Sequence, residues 1–460
     1  MTAPLQTQTF ASLGVPTSII AALSAAGVTE PFPIQAVTLA DSLAGRDLLG
    51  RGKTGSGKTI AFAIPLVAAL ATSAERHPGS RQPGSPRGLV LVPTRELANQ
   101  VAAVIAPLAH AMKLRHTVVY GGVGFGNQTA ALRNGVDIVV ACPGRLEDLM
   151  QQGHCRLDRV EVTVIDEADH MADMGFLPAV KRIMDRTAKN GQRLLFSATL
   201  DNDVKVIIDR YLNNPVTHAL DPADSPVEEM THYQFETTLA DKLAVVTRLA
   251  AGPDRSLLFT RTKHGAKKLV KQLGQSGIPA VELHGNLSQN ARERNLADFS
   301  SGAVSVLVAT DIAARGIHVD DIRLVVHVDP PAEHKAFLHR SGRTARAGAA
   351  GVVITIVTPE QRKDVRSMTR SAGIRPLISE SVQANNSLLA ELAGPAQPTR
   401  RIAAPPERVQ QQRQRRTTGA ATTTQNGRPR RVTQAGRPAP SGPHPRSRQR
   451  RPRAAGQAQR

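Results

Sequence analysis

The sequence predicts an α/β protein with two tandem parallel-sheet domains joined by a short linker, followed by a disordered basic tail. Two observations predict the domains: short β-branched runs alternate with longer helical patterns, and a turn-rich break at residues 213–226 divides the runs into two series. A third observation predicts the tail, because the composition changes at Pro398. The expected boundaries are residues 1–217 for the first domain, 218–228 for the linker, 229–375 for the second domain, 376–397 for a short helical extension and 398–460 for the tail.

The candidate strands are short segments rich in Val, Ile and Leu, as expected for strands that are buried on both faces of a parallel sheet. In the first domain they are residues 88–92, 117–120, 138–141, 162–165 and 193–196. In the second domain they are residues 256–259, 280–283, 304–309, 323–328 and 351–357. Their alternation with helical patterns is typical of parallel sheets flanked by helices.

A glycine-rich segment before a predicted helix has the pattern of a phosphate-binding loop. Residues 50–59 read Gly-Arg-Gly-Lys-Thr-Gly-Ser-Gly-Lys-Thr, in which glycines let backbone N–H groups close around phosphates. Lys58 would neutralise the outer phosphates, and Thr59 would hold Mg²⁺. The expected nucleotide contacts are Thr54, Gly55, Ser56, Gly57, Lys58 and Thr59. A glycine-rich turn without a ligand is the alternative interpretation.

A second motif, at residues 162–169, reads Val-Thr-Val-Ile-Asp-Glu-Ala-Asp. This β-branched run ends in carboxylates, at the strand end where ligands collect in an open α/β sheet. Asp166 is the candidate for steering Mg²⁺, and Glu167 is the candidate for orienting or deprotonating the attacking water. Together the two motifs predict a protein that binds and hydrolyses a nucleoside triphosphate, and they disfavour a ligand-free turn.

The positive charge is concentrated in the tail. The net charge is +20, and residues 398–460 contribute +15 of it through sixteen Arg, no Lys and one acid, Glu407. These residues include no aromatic side chain and few branched aliphatics, so they cannot bury enough apolar surface to offset ordering. Arg clusters such as residues 448–453 would attract a polyanion through salt-sensitive phosphate contacts. A solvated tail with no selected partner is the alternative.

Composition also indicates a cellular setting. Cys142 and Cys155 have no paired spacing, which argues against a disulfide scaffold or a zinc site and fits a reducing cytoplasm. The first ten residues lack a charged-then-apolar signal, and no run of about 18 apolar residues is apparent in the sequence. We therefore expect a soluble, cytoplasmic protein that does not bind a membrane.

The second series of strands ends near an arginine cluster. Residues 339–346 read His-Arg-Ser-Gly-Arg-Thr-Ala-Arg, and the glycine allows close approach to a ligand. The phosphate loop lies only in the first domain, so the second domain must supply something else. Its three arginines within seven positions, Arg340, Arg343 and Arg346, could stabilise the charge on a transferred phosphoryl group. An isolated arginine cluster is more often a solvated face. Here the phosphate loop favours the functional interpretation.

These motifs resemble those of DEAD-box RNA helicases, in the family's order, over residues 10–357. Residues 166–169, Asp-Glu-Ala-Asp, are the motif that names the family. The resemblance implies two RecA-like domains that close on ATP and Mg²⁺. Phe10 precedes Gly27 by the family's seventeen positions, and residues 27–35 resemble its adenine-reading segment, which ends in Gln35. Because an amide offers the donor and the acceptor that adenine needs, ATP is expected over GTP.

The resemblance also implies roles for further residues. Expected RNA contacts are Thr94, Arg95, Gly122, Pro143, Gly144 and Arg145 in the first domain, and Gly285, Arg292 and Thr310 in the second. Asp311 is expected at the ribose of ATP, and Arg343 and Arg346 at its phosphates. The expected coupling residues are Asp169, Ser197, Thr199, His339 and Arg340, with hydroxyls that bond to the carboxylates of the acidic motif. Aromatic residues make up only 3% of the chain, which fits backbone contacts that leave the bases unread.

Five positions depart from the family pattern. Val28 stands where an aromatic is frequent, Phe32 where Thr or Ser is usual, and Gly52 where Ala is usual, and these changes affect the packing around adenine and the phosphate loop. Cys142 replaces a Thr whose hydroxyl would contact a phosphate, a loss of about 1 kcal/mol. His318 replaces an Asp and puts a titratable group near the domain interface.

The resemblance implies local, non-processive separation of short RNA duplexes or remodelling of RNA–protein complexes, with the tail as a tether for RNA. An ATP-gated RNA clamp or scaffold is one alternative, and an annealing chaperone whose active part is the tail is another. The preference for RNA over DNA rests on the resemblance alone. The Ala- and Arg-rich composition suggests a bacterium, in which such proteins commonly serve ribosome assembly, RNA decay or growth in the cold. Ribosomal or RNA-decay assemblies are therefore candidate partners of an expected monomer.

Overall fold

The computed structural model of the chain describes residues 8–52, 55–77, 79–219, 230–314, 319, 321–345 and 350–396. The predicted tail at 398–460 and most of the predicted linker lie outside these residues. Thr54, His318 and Arg346 also lie outside them, so their predicted roles stay predictions.

The first domain contains a seven-stranded sheet in which all neighbouring strands are parallel. Its strands are β1 Leu48–Arg51, β2 Gly88–Leu91, β3 His116–Val119, β4 Ile138–Ala141, β5 Val162–Asp166, β6 Gln192–Ser197 and β7 Val216–Ala219. The order across the sheet is β3-β4-β2-β5-β6-β1-β7. Because β1 and β5 both neighbour β6 and run parallel to it, the phosphate loop and the acidic motif leave the same edge of the sheet.

Helices cover both faces of this sheet. They are α1 Thr17–Ala25, α2 Pro33–Leu43, α3 Lys58–Arg76, α4 Arg95–Ala111, α5 Gly126–Arg133, α6 Pro143–Gln151, α7 Ala168–Asp173, α8 Leu177–Met184 and α9 Asn202–Tyr211. Successive residues of β2 alternate between two hydrophobic clusters, with Val90 in one and Leu89 and Leu91 in the other. The strands are thus buried on both faces, which explains why they read as continuous apolar runs.

Helix α3 is apolar because it lies in the core. At 19 residues it is long and apolar enough to cross a membrane by length and composition, which corrects the expectation that no such run exists. Within the chain, 61% of the relevant window is buried, including Phe62, Ile64 and Leu66. A core helix passes the same test, so α3 is weak evidence for a membrane span.

The second domain repeats the same architecture. Its strands are β8 Met230–Glu236, β9 Arg255–Phe259, β10 Ala280–Leu283, β11 Val306–Ala309, β12 Ile322–His327, β13 Gly351–Val357 and β14 Leu377–Ser379. Their order across the sheet is β10-β11-β9-β12-β13-β8-β14, and all neighbouring strands are again parallel. This is the order of the first sheet, with each strand replaced by its equivalent in the second domain. The helices are α10 Lys242–Ala250, α11 Lys263–Gln275, α12 Gln289–Ser300, α13 Asp311–Ala314, α14 His334–Ser341, α15 Arg362–Ser371 and α16 Ser387–Ala393, with a 3₁₀ turn at Pro359–Gln361.

The predicted fold class, two parallel-sheet α/β domains in tandem, is confirmed. Each predicted strand overlaps an observed one, but β1, β7, β8 and β14 were missed. Polar residues such as Thr217 and His218 interrupt the apolar pattern of β7, an edge strand, so pairing with β1 rather than composition makes it a strand. This strand also runs through Ala219, two residues past the predicted end of the domain.

The C-terminal extension is not wholly helical as predicted. It begins with β14, which pairs with β8 at the sheet edge, and continues to α16. Leu389 of α16 is fully buried in the same cluster as Val245 and Leu249 of α10. The extension therefore completes the second domain by packing against it.

Candidate active site

The phosphate loop connects β1 to α3 and depends on glycine at its last turn. Gly57, which precedes the helix, has a left-handed φ of 90°. A Cβ atom there would lie 2.6 Å from both Gln35 Nε2 and Phe32 Cδ2, so a side chain would clash with the predicted adenine-reading segment. Lys58 is buried, and its Nζ donates to the carbonyl of Gly52 at 2.6 Å. The described part of the loop thus has a backbone turn that only glycine fits, at Gly57, followed directly by the buried ammonium group of Lys58.

Two carboxylates end β5 beside this loop. Asp166 is 3% exposed, and burial together with the negative charge of Glu167 raises its pKa to about 7, while Lys58 acts in the opposite direction. Glu167 has a left-handed φ of 52°, and its backbone N–H donates to Asp166 Oδ1 at 3.0 Å. A buried anionic pair of this kind favours a cation between or beside its members.

The oxygen donors of the site fit Mg²⁺. Among the described residues, no group of three or more His, Cys, Asp and Glu side chains could by itself hold a metal. Mg²⁺ is usually bound by one or two carboxylates together with substrate phosphates, so a protein cage is not required. Asp166 at the end of β5 and Thr59 in the first turn of α3 have the chemistry that such a site needs.

The predicted coupling residues Ser197 and Thr199 contact the acidic motif directly. Thr199 donates from both its backbone N–H and its hydroxyl to Asp169 Oδ2, at 3.0 and 3.1 Å. Ser197 instead accepts from the backbone N–H of Asp169, at 3.3 Å. The predicted hydroxyl-to-carboxylate contact is therefore made by Thr199, whereas the hydroxyl of Ser197 contacts the backbone.

A histidine that the sequence motifs did not mark contacts the carboxylate of Glu167. His170 Nδ1 lies 2.7 Å from Glu167 Oε2, and both side chains are buried. Burial acts to lower the pKa of His170, but the carboxylates of Glu167 and Asp169 outweigh it, and the net pKa is raised. The i, i+3 spacing of an acid and a histidine on a helix was the available signal.

The adenine-reading segment is tied to the phosphate loop. Gln35 is fully buried, its Oε1 accepts from the N–H of Phe32 at 2.9 Å, and its Nε2 donates to the carbonyl of Gly57 at 3.0 Å. Phe32 is 56% exposed, whereas Phe10 is 2% exposed in the hydrophobic core. In this structure the ring of Phe10 is thus a packing group, and Phe32 presents the open aromatic surface.

In the second domain, the predicted ribose and coupling residues bind each other. Arg340 is buried and forms a two-point ion pair with Asp311, in which Nη2 donates to Oδ2 at 2.8 Å. Its Nη1 donates to the carbonyl of Asp329 at 2.7 Å. Arg343 is also buried, and its Nε donates to the carbonyl of His339 at 3.2 Å. Arg340 therefore has a structural role in holding α13 against α14.

The two domains meet next to the acidic motif. The ring of His339, on α14, lies with its centroid 4.4 Å from that of His170, and His339 Nδ1 is 3.6 Å from Asp173 Oδ2. Nearby, Lys335 donates to Asp201 at 2.7 Å. The structure thus brings the second-domain motif at residues 339–343 to the strand end that carries Glu167.

A second interdomain contact lies at the predicted RNA residues. Arg292 Nε donates to Glu96 Oε1 at 2.7 Å, and Arg292 Nη1 donates to the carbonyl of His284 at 3.2 Å. Arg95 Nη1 donates to Gln289 Oε1 at 3.4 Å. Arg292 was expected to face RNA, but its side chain is 9% exposed because its guanidinium is paired with Glu96.

The other predicted RNA residues of the first domain lie at loop ends and helix starts. Thr94 caps α4 by accepting from the N–H of Leu97 at 3.2 Å, and Pro143 and Gly144 open α6. Gly122 has a φ of 81°, and a Cβ there would lie 2.2 Å from the Arg95 guanidinium. Arg145 points inward, with its guanidinium 3.9 Å above the ring of Phe125 and Nη2 donating to the carbonyl of Val123. At these positions the first-domain residues thus present the N-termini of α4 and α6, whereas the guanidinium of Arg145 is turned toward the protein.

The remaining predicted residues differ in how they are placed. Around Gly285 no atom lies within 4 Å of a built Cβ, so its backbone is open. Thr310 follows β11, and its N–H donates to the carbonyl of Leu283 at 3.2 Å. Cys142 precedes α6 without a side-chain cap, and burial, followed by the charge of Glu96, raises its thiol pKa to about 12. The thiol therefore stays neutral and gives the helix start no charge.

Comparison with known proteins agrees with this arrangement. Residues 32–207 match the DEAD/DEAH box helicase family, and residues 240–348 match the helicase conserved C-terminal domain. The chain is 41% identical over 370 residues to DEAD-box ATP-dependent RNA helicase 3B, chloroplastic, of Zea mays, covering 79% of this chain and 49% of that protein. It thus spans about half the length of that relative.

A shorter relative and two solved structures extend the comparison. The chain is 35% identical to DEAD-box ATP-dependent RNA helicase 20 of Arabidopsis thaliana, covering 80% of this chain and 73% of that protein. S. cerevisiae Dbp5 bound to RNA and ADP BeF3 has a TM-score of 0.72 at 26% identity, covering 84% of this chain and 99% of that one. Mss116p bound to ssRNA and AMP-PNP, at 24% identity and a TM-score of 0.70 over 86% of this chain and 84% of that one, shares the fold. The chain belongs to the DEAD-box RNA helicase family.

Proposed function

We propose that this chain is an RNA-stimulated ATPase that separates short RNA duplexes locally and non-processively, or remodels RNA–protein complexes. The observation that carries the proposal is the meeting of the two domains at the acidic motif, where His339 lies beside His170 and Asp173. A site that needs groups from both domains is complete only when they are together. Binding that closes the domains can therefore be coupled to hydrolysis.

The nucleotide would lie between the phosphate loop and the second domain. Lys58 would neutralise phosphate charge, and Gln35 would read adenine, which requires its amide to exchange its present contacts for the base. Asp166 and Thr59 would hold Mg²⁺, which when bound neutralises charge on the phosphates. Glu167 would orient the attacking water and take its proton, while Arg343 and Arg346 would stabilise the charge that develops on the phosphoryl group.

RNA would bind across the same edge of both sheets. The first turns of α4 and α6 present backbone N–H groups, which favour phosphate oxygens without regard to base identity. A strand bent by both domains no longer fits a duplex, so its partner dissociates. Each stacked step contributes about 1.4 kcal/mol, so the limited energy of one closing event suits a short duplex.

The test is steady-state ATP hydrolysis with and without single-stranded RNA, for the intact chain, for Glu167→Gln and for a chain ending at Pro398. We expect stimulation by RNA in the intact and shortened chains at low salt, and a loss of about 10²-fold or more in kcat for Glu167→Gln. Arg261→Gln removes a positive charge at an exposed position after β9 and is compared as a surface-charge variant, which should weaken RNA binding more than basal hydrolysis. Activity that survives in Glu167→Gln would contradict the assigned chemistry.

The alternatives make different predictions in the same assay. A clamp or scaffold would hydrolyse ATP and retain RNA without releasing a labelled strand from a short duplex. An annealing chaperone would lose its RNA activity in the chain ending at Pro398, while ATP hydrolysis persisted. Loss of all RNA stimulation on removal of the tail would therefore replace the present proposal.

We also propose a cellular role, which composition and family membership support. The Ala- and Arg-rich composition favours a bacterial source. We further propose a cytoplasmic monomer that serves ribosome assembly, RNA decay or growth in the cold, as similar bacterial proteins commonly do. The basic residues at 398–460 would tether it to structured RNA and raise the local concentration of the core. Crosslinking of the intact protein to RNA in cells, followed by sequencing, would identify the RNA class.

A further inference from the structure

Helix α7 carries a histidine to which the motifs of the active site assign no role. His170 follows the acidic motif directly and is 3% exposed. Its Nδ1 lies 2.7 Å from Glu167 Oε2, and its Nε2 is buried and makes no hydrogen bond. One nitrogen of the ring is therefore used on the hydrolytic carboxylate, and the other serves no polar partner.

The ring of His170 also faces the second domain. It meets His339 edge to face, with the ring planes at 78° and the centroids 4.4 Å apart. His339 Nδ1 lies 3.6 Å from Asp173 Oδ2, three residues further along α7. The side chain from α14 thus contacts two residues on one helix, and the first of these holds Glu167.

Glu167 needs such a restraint because of where it sits. Its backbone occupies the left-handed region, with φ 52°, between the end of β5 and the start of α7. A glutamate side chain has three rotatable bonds, so its carboxylate is oriented only if another group holds it. A hydrogen bond from one nitrogen to one carboxylate oxygen restricts the plane of the whole group, and misplacement of a reacting group by about 1 Å costs about 10²-fold in rate.

We propose that His170 is a positioning residue, which holds the carboxylate of Glu167 through Nδ1 and is itself held by His339 when the domains meet. The proposal rests on the proposed hydrolysis of ATP. Its consequence is that the second domain influences Glu167 through a ring contact in addition to any contact with the nucleotide. His170 does not touch the phosphates in this account, so it should affect turnover more than ATP affinity.

Two substitutions separate the two contacts of the ring. In His170→Asn, the side-chain amide nitrogen takes the place of Nδ1 and keeps a donor for Glu167 while removing the ring. In His170→Phe, the ring keeps its edge-to-face contact with His339 but the donor is lost. His264→Asn is the matched control, because His264 is exposed on α11 and touches neither motif.

We expect His170→Phe to lower RNA-stimulated kcat by roughly 10- to 100-fold, with the KM for ATP changed by less than about twofold. His170→Asn should retain kcat to within about fivefold but need more RNA for half-maximal stimulation, because the contact with His339 is gone. His264→Asn should match the unsubstituted chain. Equal losses in the Asn and Phe variants, or full turnover in the Phe variant, would overturn the proposal.

A spectroscopic measurement keeps the proposal separate from the function on which it rests. In the intact protein labelled with ¹⁵N-histidine, His170 should show a protonated Nδ1 whose signal moves in Glu167→Gln. If the intact chain hydrolyses no ATP with any RNA, the proposed function is wrong. The spectrum would still show whether His170 Nδ1 binds Glu167. A His170 signal that is the same in both proteins would exclude the hold on Glu167.

Discussion

His232 is a histidine that burial keeps neutral. It lies on β8, stacks on Phe337 with centroids 5.6 Å apart, and its buried Nδ1 has no hydrogen-bond partner. Burial lowers its pKa to about 4, and it lowers the pKa of the neighbouring His327 well below the usual range. Between pH 6.5 and 4 the unfolded chain therefore binds protons that the folded chain does not. The free energy of unfolding must fall as the pH falls through this window.

His232→Phe should make the protein less sensitive to acid. The substitution keeps an aromatic ring against Phe337 and removes a polar atom that has no partner. Because the lowered pKa of His232 costs up to about 3 kcal/mol once the unfolded residue is fully protonated, the variant should gain most near pH 4 to 5 and little at pH 8. Denaturant unfolding of the intact chain at several pH values measures this. His77→Phe, at an exposed site, is the control, and an equal gain at every pH for His232→Phe would contradict the explanation.

Among the secondary-structure elements, the short helix α16 is held in place by packing on α10 and by the close approach of its last turn to the backbone at Gly252. It has seven residues, too few to be stable alone, so its stability must come from packing on α10. Gly252, in the loop after α10, lies so near the helix end that a built Cβ would be 1.9 Å from the carbonyl of Ala393. The backbone φ of Gly252 is one that any residue can adopt, so glycine is needed here only because a side chain would not fit.

Gly252→Ala should therefore displace α16. We expect a loss of about 1–3 kcal/mol in the free energy of unfolding, the usual effect of forcing extra atoms into a packed site. Faster hydrogen exchange confined to residues 387–393 would show that the helix is what moves. Gly274→Ala is the matched control, since no atom lies within 4 Å of a Cβ there and alanine in a helix gains up to about 1 kcal/mol. Unchanged exchange in α16 would refute the argument.

At the scale of the whole molecule, two kinds of ion pair join the domains. Arg292 and Glu96 are both buried, at 9% and 4% side-chain exposure, whereas Lys335 and Asp201 are 39% and 20% exposed. Removing one member of a buried pair leaves an uncompensated charge, while an exposed pair contributes about 0–1 kcal/mol. The joined arrangement of the domains should depend far more on the first pair than on the second.

Glu96→Gln should shift the molecule toward separated domains. The glutamine leaves the cation of Arg292 buried without its carboxylate, a cost of about 3–5 kcal/mol when the domains are joined. Energy transfer between dyes on the two domains, with ATP and RNA present, measures the joined fraction, and RNA-stimulated hydrolysis should fall with it. Lys335→Ala should change neither by more than about twofold. Comparable effects from both variants would show that charge burial does not control the interface.

The residue pattern alone was enough to predict the repeated α/β architecture and to locate a candidate site in the first domain. Strands buried on both faces are apolar throughout, and the phosphate loop and acidic motif are local patterns whose residue types carry their function. Strands such as β7 and β14 lie at sheet edges, where each pairs with a neighbour on one side only. Their residues are of mixed polarity, so the sequence does not show the apolar run that marks a buried strand. The structure decided their pairing and assigned the extension to the second domain.

Which side chains meet could be learned only from the folded chain. Arg292 and Asp311 were predicted ligand contacts and Arg340 was a predicted coupling residue, yet Arg292 binds Glu96, and Arg340 and Asp311 bind each other. His170 had no motif to mark it, and its contact with His339 joins residues far apart in the chain. A charged or polar side chain can make its hydrogen bonds and ion pairs with a ligand or with another part of the protein, at similar free energy. Its sequence neighbours do not determine that choice, which depends on the groups that the fold brings beside it, whether from the same domain or from the other one.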